Sequence, residues 1–163
     1  MNGAGQEMYL VECNPDQVLV SSLTSVSRKR IRHMGGKSEL IKAFCVHYSN
    51  SKGMVDDDPN SVQPPQLRDL QQGEDLSDYG LKVLHQASRS NLLIILCPRL
   101  EEWLLAAAGE TAMDPVNLGL SSDPASLHRQ INFRLSSFER FVKELQVESE
   151  RVKRLGDLLM NGY

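Results

Sequence analysis

Gly53-Met54-Val55-Asp56-Asp57-Asp58-Pro59 is the stretch on which the fold turns. A short apolar approach, Met54 and Val55, runs into three consecutive carboxylates, and Pro59 halts regular structure directly after them. If Met54–Val55 ends a buried strand, the alternation of side chains sends Asp56 and Asp58 to one side of the strand tip. Carboxylates held that close repel each other unless a cation lies between them. Oxygen-only ligands suit a hard ion, Mg²⁺ or Mn²⁺. An acidic surface turn would use the same residue types, since Asp and Pro are common turn formers. The rest of the chain has to decide between the two.

Upstream, Met8-Tyr9-Leu10-Val11 is a compact apolar run ending at Glu12, a buried strand by composition. Asn14-Pro15 then reads as an N-cap followed by proline at the first helical position, with Asp16 in the first turn where the helix dipole favours it. Val18, Leu19 and Leu23 supply the apolar face of that helix. Glu12 therefore falls at the carboxyl end of a strand and Asp16 at the start of the next helix. In open α/β sheets that edge is where ligands bind.

Arg28-Lys29-Arg30-Ile31-Arg32 is a basic stretch with weak alternation, read as an edge strand, and Gly35-Gly36 breaks it. Such basic residues could track a phosphate backbone, or simply keep an edge from pairing. Lys37 to about Tyr48 reads as a helix with Leu40, Ile41, Phe44 and Cys45 inward. Gly36-Lys37-Ser38 invites a phosphate-loop reading, but the first glycine of that motif would fall on Ile31, so it fails. A tight turn delivering Lys37 to a helix N-terminus survives, and anions bind at such places.

Downstream, Asn60 to Asp75 is rich in Pro, Gln and Gly and reads as a surface loop. Leu76 or Ser77 to about Ser88 reads as a helix on Leu81, Val83, Leu84 and Ala87. Asn91 to Cys97 is the most strand-like run of all, with the unbroken apolarity of a parallel strand covered on both faces. Pro98 opens a helix from Arg99 to about Ala108, closed by Gly109. Strands alternating with helices imply an α/β fold with a mostly parallel sheet. The organisation expected is an α/β domain over 8–108 and an all-helical extension over 109–163, starting afresh at Asp123-Pro124. In that extension Phe138, Phe141, Leu145, Val152, Leu155 and Leu159 form a seam that packs on the body or pairs two copies into a homodimer.

The 163 residues carry a net charge of −3, so the whole molecule is no generic polyanion binder. A nucleic-acid role would need a local basic face or metal ions. Three cysteines, odd in number and lying in or beside apolar runs, read as reduced thiols of a cytoplasmic protein that binds no zinc. His33, His47, His85 and His128 lack metal-ligand spacing. The polar head of the chain, residues 1–7, reads as a loose tail without a signal-peptide core, and no apolar run is long enough to span a membrane.

Four of these features, in this order, resemble a known family. Glu12 followed by Asp16 after an apolar strand resembles the E-x-x-x-D opening of TOPRIM domains. Gly35-Gly36-Lys37 resembles the second block of the OLD-like nuclease group within them. Val55-Asp56-Asp57-Asp58-Pro59 resembles the TOPRIM D-x-D motif, and Arg99-Leu100-Glu101-Glu102-Trp103 resembles the R-x-x-E-aromatic helix after the last strand. Cys13 stands where the family usually has glycine, and Asp57 stands at the middle position of D-x-D, where a basic residue is frequent.

The resemblance implies a Rossmann-like sheet and Mg²⁺- or Mn²⁺-dependent phosphoryl transfer on nucleic acid, of nuclease type. It assigns Asp56 and Asp58 to the metal. Glu12 becomes a general acid/base or a bridging ligand, Asp16 and Glu101 complete a second metal position, and Lys37 stabilises developing phosphorane charge. It also implies a protein partner such as an ATPase, since OLD nucleases carry one. The alternative is an interaction module that keeps the fold without the chemistry.

Overall fold

The computed structural model of the chain describes residues 5–162, so residues 1–4 of the expected tail lie outside the described residues. The first half runs β1 (Met8–Val11), α1 (Asn14–Thr24), β2 (Ile31–His33), α2 (Lys37–Val46) and β3 (Ser51–Asp56). It continues through β4 (Gln71–Gln72), β5 (Leu81–Gln86), β6 (Asn91–Leu96) and α3 (Leu100–Glu110). Three further helices follow: α4 (Pro124–Ile131), α5 (Leu135–Glu148) and α6 (Glu150–Asn161).

The six strands form one mixed sheet in the order β2-β1-β3-β6-β5-β4. β1, β2, β3 and β6 are parallel, while β5 and β4 add on antiparallel. Alternation divides the central strands between two apolar layers. Tyr9, Val11, Met54, Leu92, Ile94 and Leu96 face a large core shared with α1, α3, α5 and α6. Leu10, Val55, Leu93 and Ile95 face a smaller core under α2. Gly53 lets α2 come close, because a Cβ there would lie 3.1 Å from Leu93 and 3.2 Å from both Leu40 and Phe44.

The expected helix over 77–88 is a strand. A short 3-10 turn at Ser77–Tyr79 stops at Gly80, whose φ of +64° reverses the chain, and β5 then pairs antiparallel with β6 along its whole length. Leu81 and Val83, two apart, are both buried on one face, so the period that matters here is two. The loop expected over 60–75 contains a 3-10 turn at Pro65–Asp69 and the two-residue β4. Cys13, not Asn14, is the N-cap of α1, and α3 runs through Gly109 to Glu110. The basic stretch does end in an edge strand, β2.

The C-terminal seam is spent inside the chain. Phe138, Phe141, Leu145, Val152, Leu155 and Leu159 are all buried in the larger core, and Ser149 divides them between α5 and α6 by capping the second helix through Val152 N–H. The last turn also reaches the amino ends of the sheet. The Leu159 carbonyl accepts from Tyr9 Oη at 2.8 Å and from the buried Lys52 Nζ at 2.7 Å. Glu7, expected in a loose tail, is tied into the same corner through Tyr9 and Lys52. Among the described residues no helix is long and apolar enough to cross a membrane.

Candidate functional site

β1 and β3 are adjacent parallel strands, so their carboxyl ends deliver Glu12 and Asp56 to one edge of the sheet. The first turn of α1 adds Asp16, the turn after β2 adds Gly35 and Gly36, and the first turn of α3 adds Glu101. His128 and Asn132 come across from α4 and its end. Together these residues line a cleft of about 240 Å³. A second, larger hollow of about 620 Å³ opens beside it, sharing Asp56, Glu101 and His128 and adding Arg99 and Arg129.

The carboxylates are in mutual reach. The Asp56 backbone N–H donates to Glu12 Oε2 at 3.4 Å. Asp56 Oδ1 accepts from the Leu100 N–H at 3.0 Å, so a residue at a strand end caps the helix that follows β6. Asp16 is 4% exposed and accepts from the Cys13 thiol at 3.3 Å. Glu101, 6% exposed, bonds His128 Nδ1 at 2.8 Å.

Burial and like charge raise the proton affinity of this group. Burial pushes the Asp56 carboxyl up to about 8, with Asp16, Glu12 and Glu101 adding repulsion. Burial pushes Asp16 up to about 7, against the pull of the Cys13 donor and with Glu12 adding to the rise. Glu12 is raised too, by burial first, although the Asp56 N–H and Lys37 oppose it. Asp16 and Asp56 hold protons near neutrality, and with Glu12 also raised the cleft is a site short of positive charge.

Asp58 lines two hollows together with Asp56 but is held by a different partner. The strand ends at Asp56, Asp58 takes a left-handed φ of +44°, and its carboxylate is held by Arg99 through Nε at 3.1 Å and Nη2 at 2.9 Å. That contact lowers its proton affinity. The strand alternation expected to pair Asp56 with Asp58 stops at Asp56, yet both residues line the same two hollows. Lys37 lines a third hollow with Glu12, Asp56 and Asp58. Its Nζ donates to the Asp57 carbonyl and to Gln63 Oε1, both at 2.7 Å, and burial lowers its proton affinity.

Sequence reasoning missed two participants. His128 showed no metal-ligand spacing, and only the placement of α4 against α3 brings it onto Glu101. Arg99 was read as part of a motif, but its partner Asp58 could not be named before the β3 and β6 ends were known to be neighbours. The three cysteines are free thiols.

The donor set suits a hard divalent cation in kind: oxygen ligands only, with raised proton affinities that a cation would relieve. Glu12, Asp16 and Asp56 are the residues that fit. In arrangement, no group of three or more His, Cys, Asp or Glu side chains among the described residues is posed around one point as a metal shell. The carboxylates instead occupy each other's neighbourhood through Cys13, Leu100 and His128. Compared with known proteins, the chain matches no family profile, no curated sequence and no solved structure.

Proposed function

We propose that the cleft at the ends of β1 and β3 is a TOPRIM-like acidic site for Mg²⁺- or Mn²⁺-dependent phosphoryl transfer on nucleic acid. The observation that carries this reading is the contact of Glu12 with Asp56, with Asp16 buried beside them and all three raised in proton affinity. Glu12, Asp16 and Asp56 would hold the ion, which when bound supplies charge neutralisation at a phosphate and orients the attacking oxygen. Glu12, the least buried of the three, is placed to take or give a proton at the reacting oxygen. Lys37, at a helix start, lines the adjoining hollow with Glu12 and Asp56, from where it would offer its ammonium to a phosphate oxygen. Arg99 fixes Asp58 at the rim, and Glu101 orients His128.

A second reading has an observation of its own. With no ready metal shell, and with Asp58 and Lys37 tied to Arg99, Asp57 and Gln63, the chain would serve as an interaction module that keeps the fold for a protein partner such as an ATPase.

Incubation with single- and double-stranded DNA and RNA in Mg²⁺ or Mn²⁺, wild type against Glu12→Gln, separates the two. The enzymatic reading expects metal-dependent cleavage that falls about a hundredfold or more in Glu12→Gln while the fold holds. Wild-type protein that cleaves none of these substrates gives the module reading the lead.

A further inference from the structure

Arg28, Lys29, Arg30, Arg32 and Lys37 all fall between Asp16 and Glu39, a stretch of chain without one acidic residue. In a protein of net charge −3 that gathers positive charge in one place. The stretch forms a 3-10 turn at Arg28–Arg30, the edge strand β2, and the turn through Gly35 and Gly36 into α2. Two of the five cations are engaged. Arg30 Nε donates to the Glu7 carbonyl at 2.9 Å and its guanidinium lies over the Tyr9 ring, while Lys37 is held by the Asp57 carbonyl and Gln63. Arg28, Lys29 and Arg32 are exposed, and among the described residues their side chains make no ion pair and no hydrogen bond.

Keeping the sheet edge from pairing does not account for these three. Met34 N–H donates to the Val11 carbonyl, so Arg32, two residues earlier, also turns its backbone to β1, and Ile31 and His33 turn theirs outward. The Ile31 N–H is already closed onto the Arg28 carbonyl by the 3-10 turn. His33 N–H is therefore the one outward donor of β2, too little for another strand to add. An acidic peptide extended along this edge would lack a ladder for the same reason. A lipid surface would need exposed apolar side chains beside the charges, but Ile31 is buried, and Val26 and Met34 pack against the two cores.

β2 runs parallel to β1 with His33 level with Val11, so its carboxyl end leads to the same sheet edge as Glu12. Gly35 and Gly36 then line the carboxylate cleft. From Arg28 to Gly35 the stretch covers about 20 Å, at roughly 3.3 Å per strand residue and 2 Å per 3-10 residue. A duplex strand passes one phosphate about every 3.4 Å, so about six phosphates span it. None of the acidic residues lining the cleft and its neighbouring hollows lies between Gln17 and Ser38, and their charge is what a bound ion offsets. We infer that the β2 edge, through Arg28, Lys29 and Arg32, holds the phosphate backbone of nucleic acid and delivers it across Gly35-Gly36 to the cleft. This rests on the reading of the cleft as a nucleic-acid site and gives that site its docking surface. Charges on phosphates read no bases, so the surface accepts any sequence.

The test is fluorescence anisotropy of a labelled DNA duplex of about 20 base pairs, long enough to cover the edge, at salt from about 50 to 200 mM. Ca²⁺ replaces Mg²⁺ to limit turnover. The edge variant combines Arg28→Gln, Lys29→Gln and Arg32→Gln. A control combining Arg140→Gln, Lys143→Gln and Lys153→Gln removes the same charge from exposed positions on α5 and α6. The edge variant should bind about tenfold or more weakly at low salt, and its plot of log affinity against log salt should be shallower by about two to three. The control should keep the wild-type slope. Unchanged melting temperatures show that both variants are folded.

Equal slopes for wild type and edge variant, an equal loss in the control, or no binding of the duplex by wild type overturns the inference. So does a polyglutamate peptide or a phosphatidylserine vesicle whose binding needs the edge cations while the duplex does not. Binding with the expected signature but without cleavage in Mg²⁺ or Mn²⁺ leaves the inference standing and removes the catalytic reading. Cleavage of the duplex that the edge variant performs with unchanged KM and kcat does the reverse.

Discussion

The backbone N–H of Asp56 donates to the side chain of Glu12 across two neighbouring parallel strands, at 3.4 Å, although the residues are 44 apart in sequence. The contact brings two acidic groups to one point of the sheet edge, where water is scarce and a third carboxyl, Asp16, is already buried. The cluster therefore costs the fold some stability whenever it is charged.

The first prediction is its pH dependence. Unfolded Asp16 and Asp56 lose their protons near 3.8, while in the folded chain they keep them to about 7 and about 8. Between those values the native state binds more protons than the unfolded one, so unfolding free energy falls as pH rises. The contribution is fully present below the unfolded values and gone above about 8. Urea melts across that range, without divalent ions, should show the decline, and a level profile would refute it.

Divalent ions should act in the opposite sense. Mg²⁺ or Mn²⁺ binds the deprotonated carboxylates, so it should raise the melting temperature by mass action, and more at the alkaline end. Asp56→Asn should abolish that response. Without metal, and above the range in which Asp56 ionises, the same variant should gain about 1 kcal/mol, because it keeps an acceptor for Leu100 N–H and loses a repulsive charge. A wild-type melting temperature indifferent to millimolar metal would remove the metal site from consideration.

A third expectation concerns the polar knot at the other end of β6. Buried Asn91 accepts from Ser51 N–H and Ser51 Oγ, both at 2.9 Å, and donates to the Phe44 and Tyr48 carbonyls. Asn91→Ala strands several buried groups at once and should cost about 3 kcal/mol in chemical denaturation. Loss of under half that would mean the groups find other partners.

Gly80 gives a fourth. Its φ of +64° is strained for any other residue, and a Cβ there would fall 2.9 Å from Trp103 Cδ1. Gly80→Ala should cost about 2 kcal/mol and loosen the Trp103 Nε1 bond to the Tyr79 carbonyl, visible as a change in tryptophan emission. Unaltered emission and stability would contradict it.

What could be read from the sequence follows from how local each signal is. The parallel strands announced themselves because Met8–Val11 and Asn91–Leu96 are apolar on both faces, and helix starts at Pro15, Lys37 and Pro124 carry their own turn chemistry. β5 was misread because Leu81, Val83, Leu84 and Ala87 satisfy a helical spacing as well as an alternating one. Only pairing with β6, which no local pattern records, favours the strand. At the site, Glu12, Asp16, Asp56 and Glu101 could be foreseen from their places at element ends. Asp58 could not, because its direction depends on one left-handed residue and on Arg99 from another element. His128 was invisible for the same reason, since its role comes from the packing of α4 and not from spacing.

The Leu159 carbonyl takes hydrogen bonds from Tyr9, 150 residues earlier, and from Lys52, 107 residues earlier. β1 precedes the other described strands in the chain, and its amino end is completed by the last helical turn described. High separation between partners slows folding, because a long loop must close before the contact returns any energy. Until α6 arrives, the Lys52 ammonium and the Tyr9 hydroxyl lack that acceptor and stay wet. A chain cut short after α5 would thus carry a sheet with an open amino end, a place where a chaperone or a protease could act.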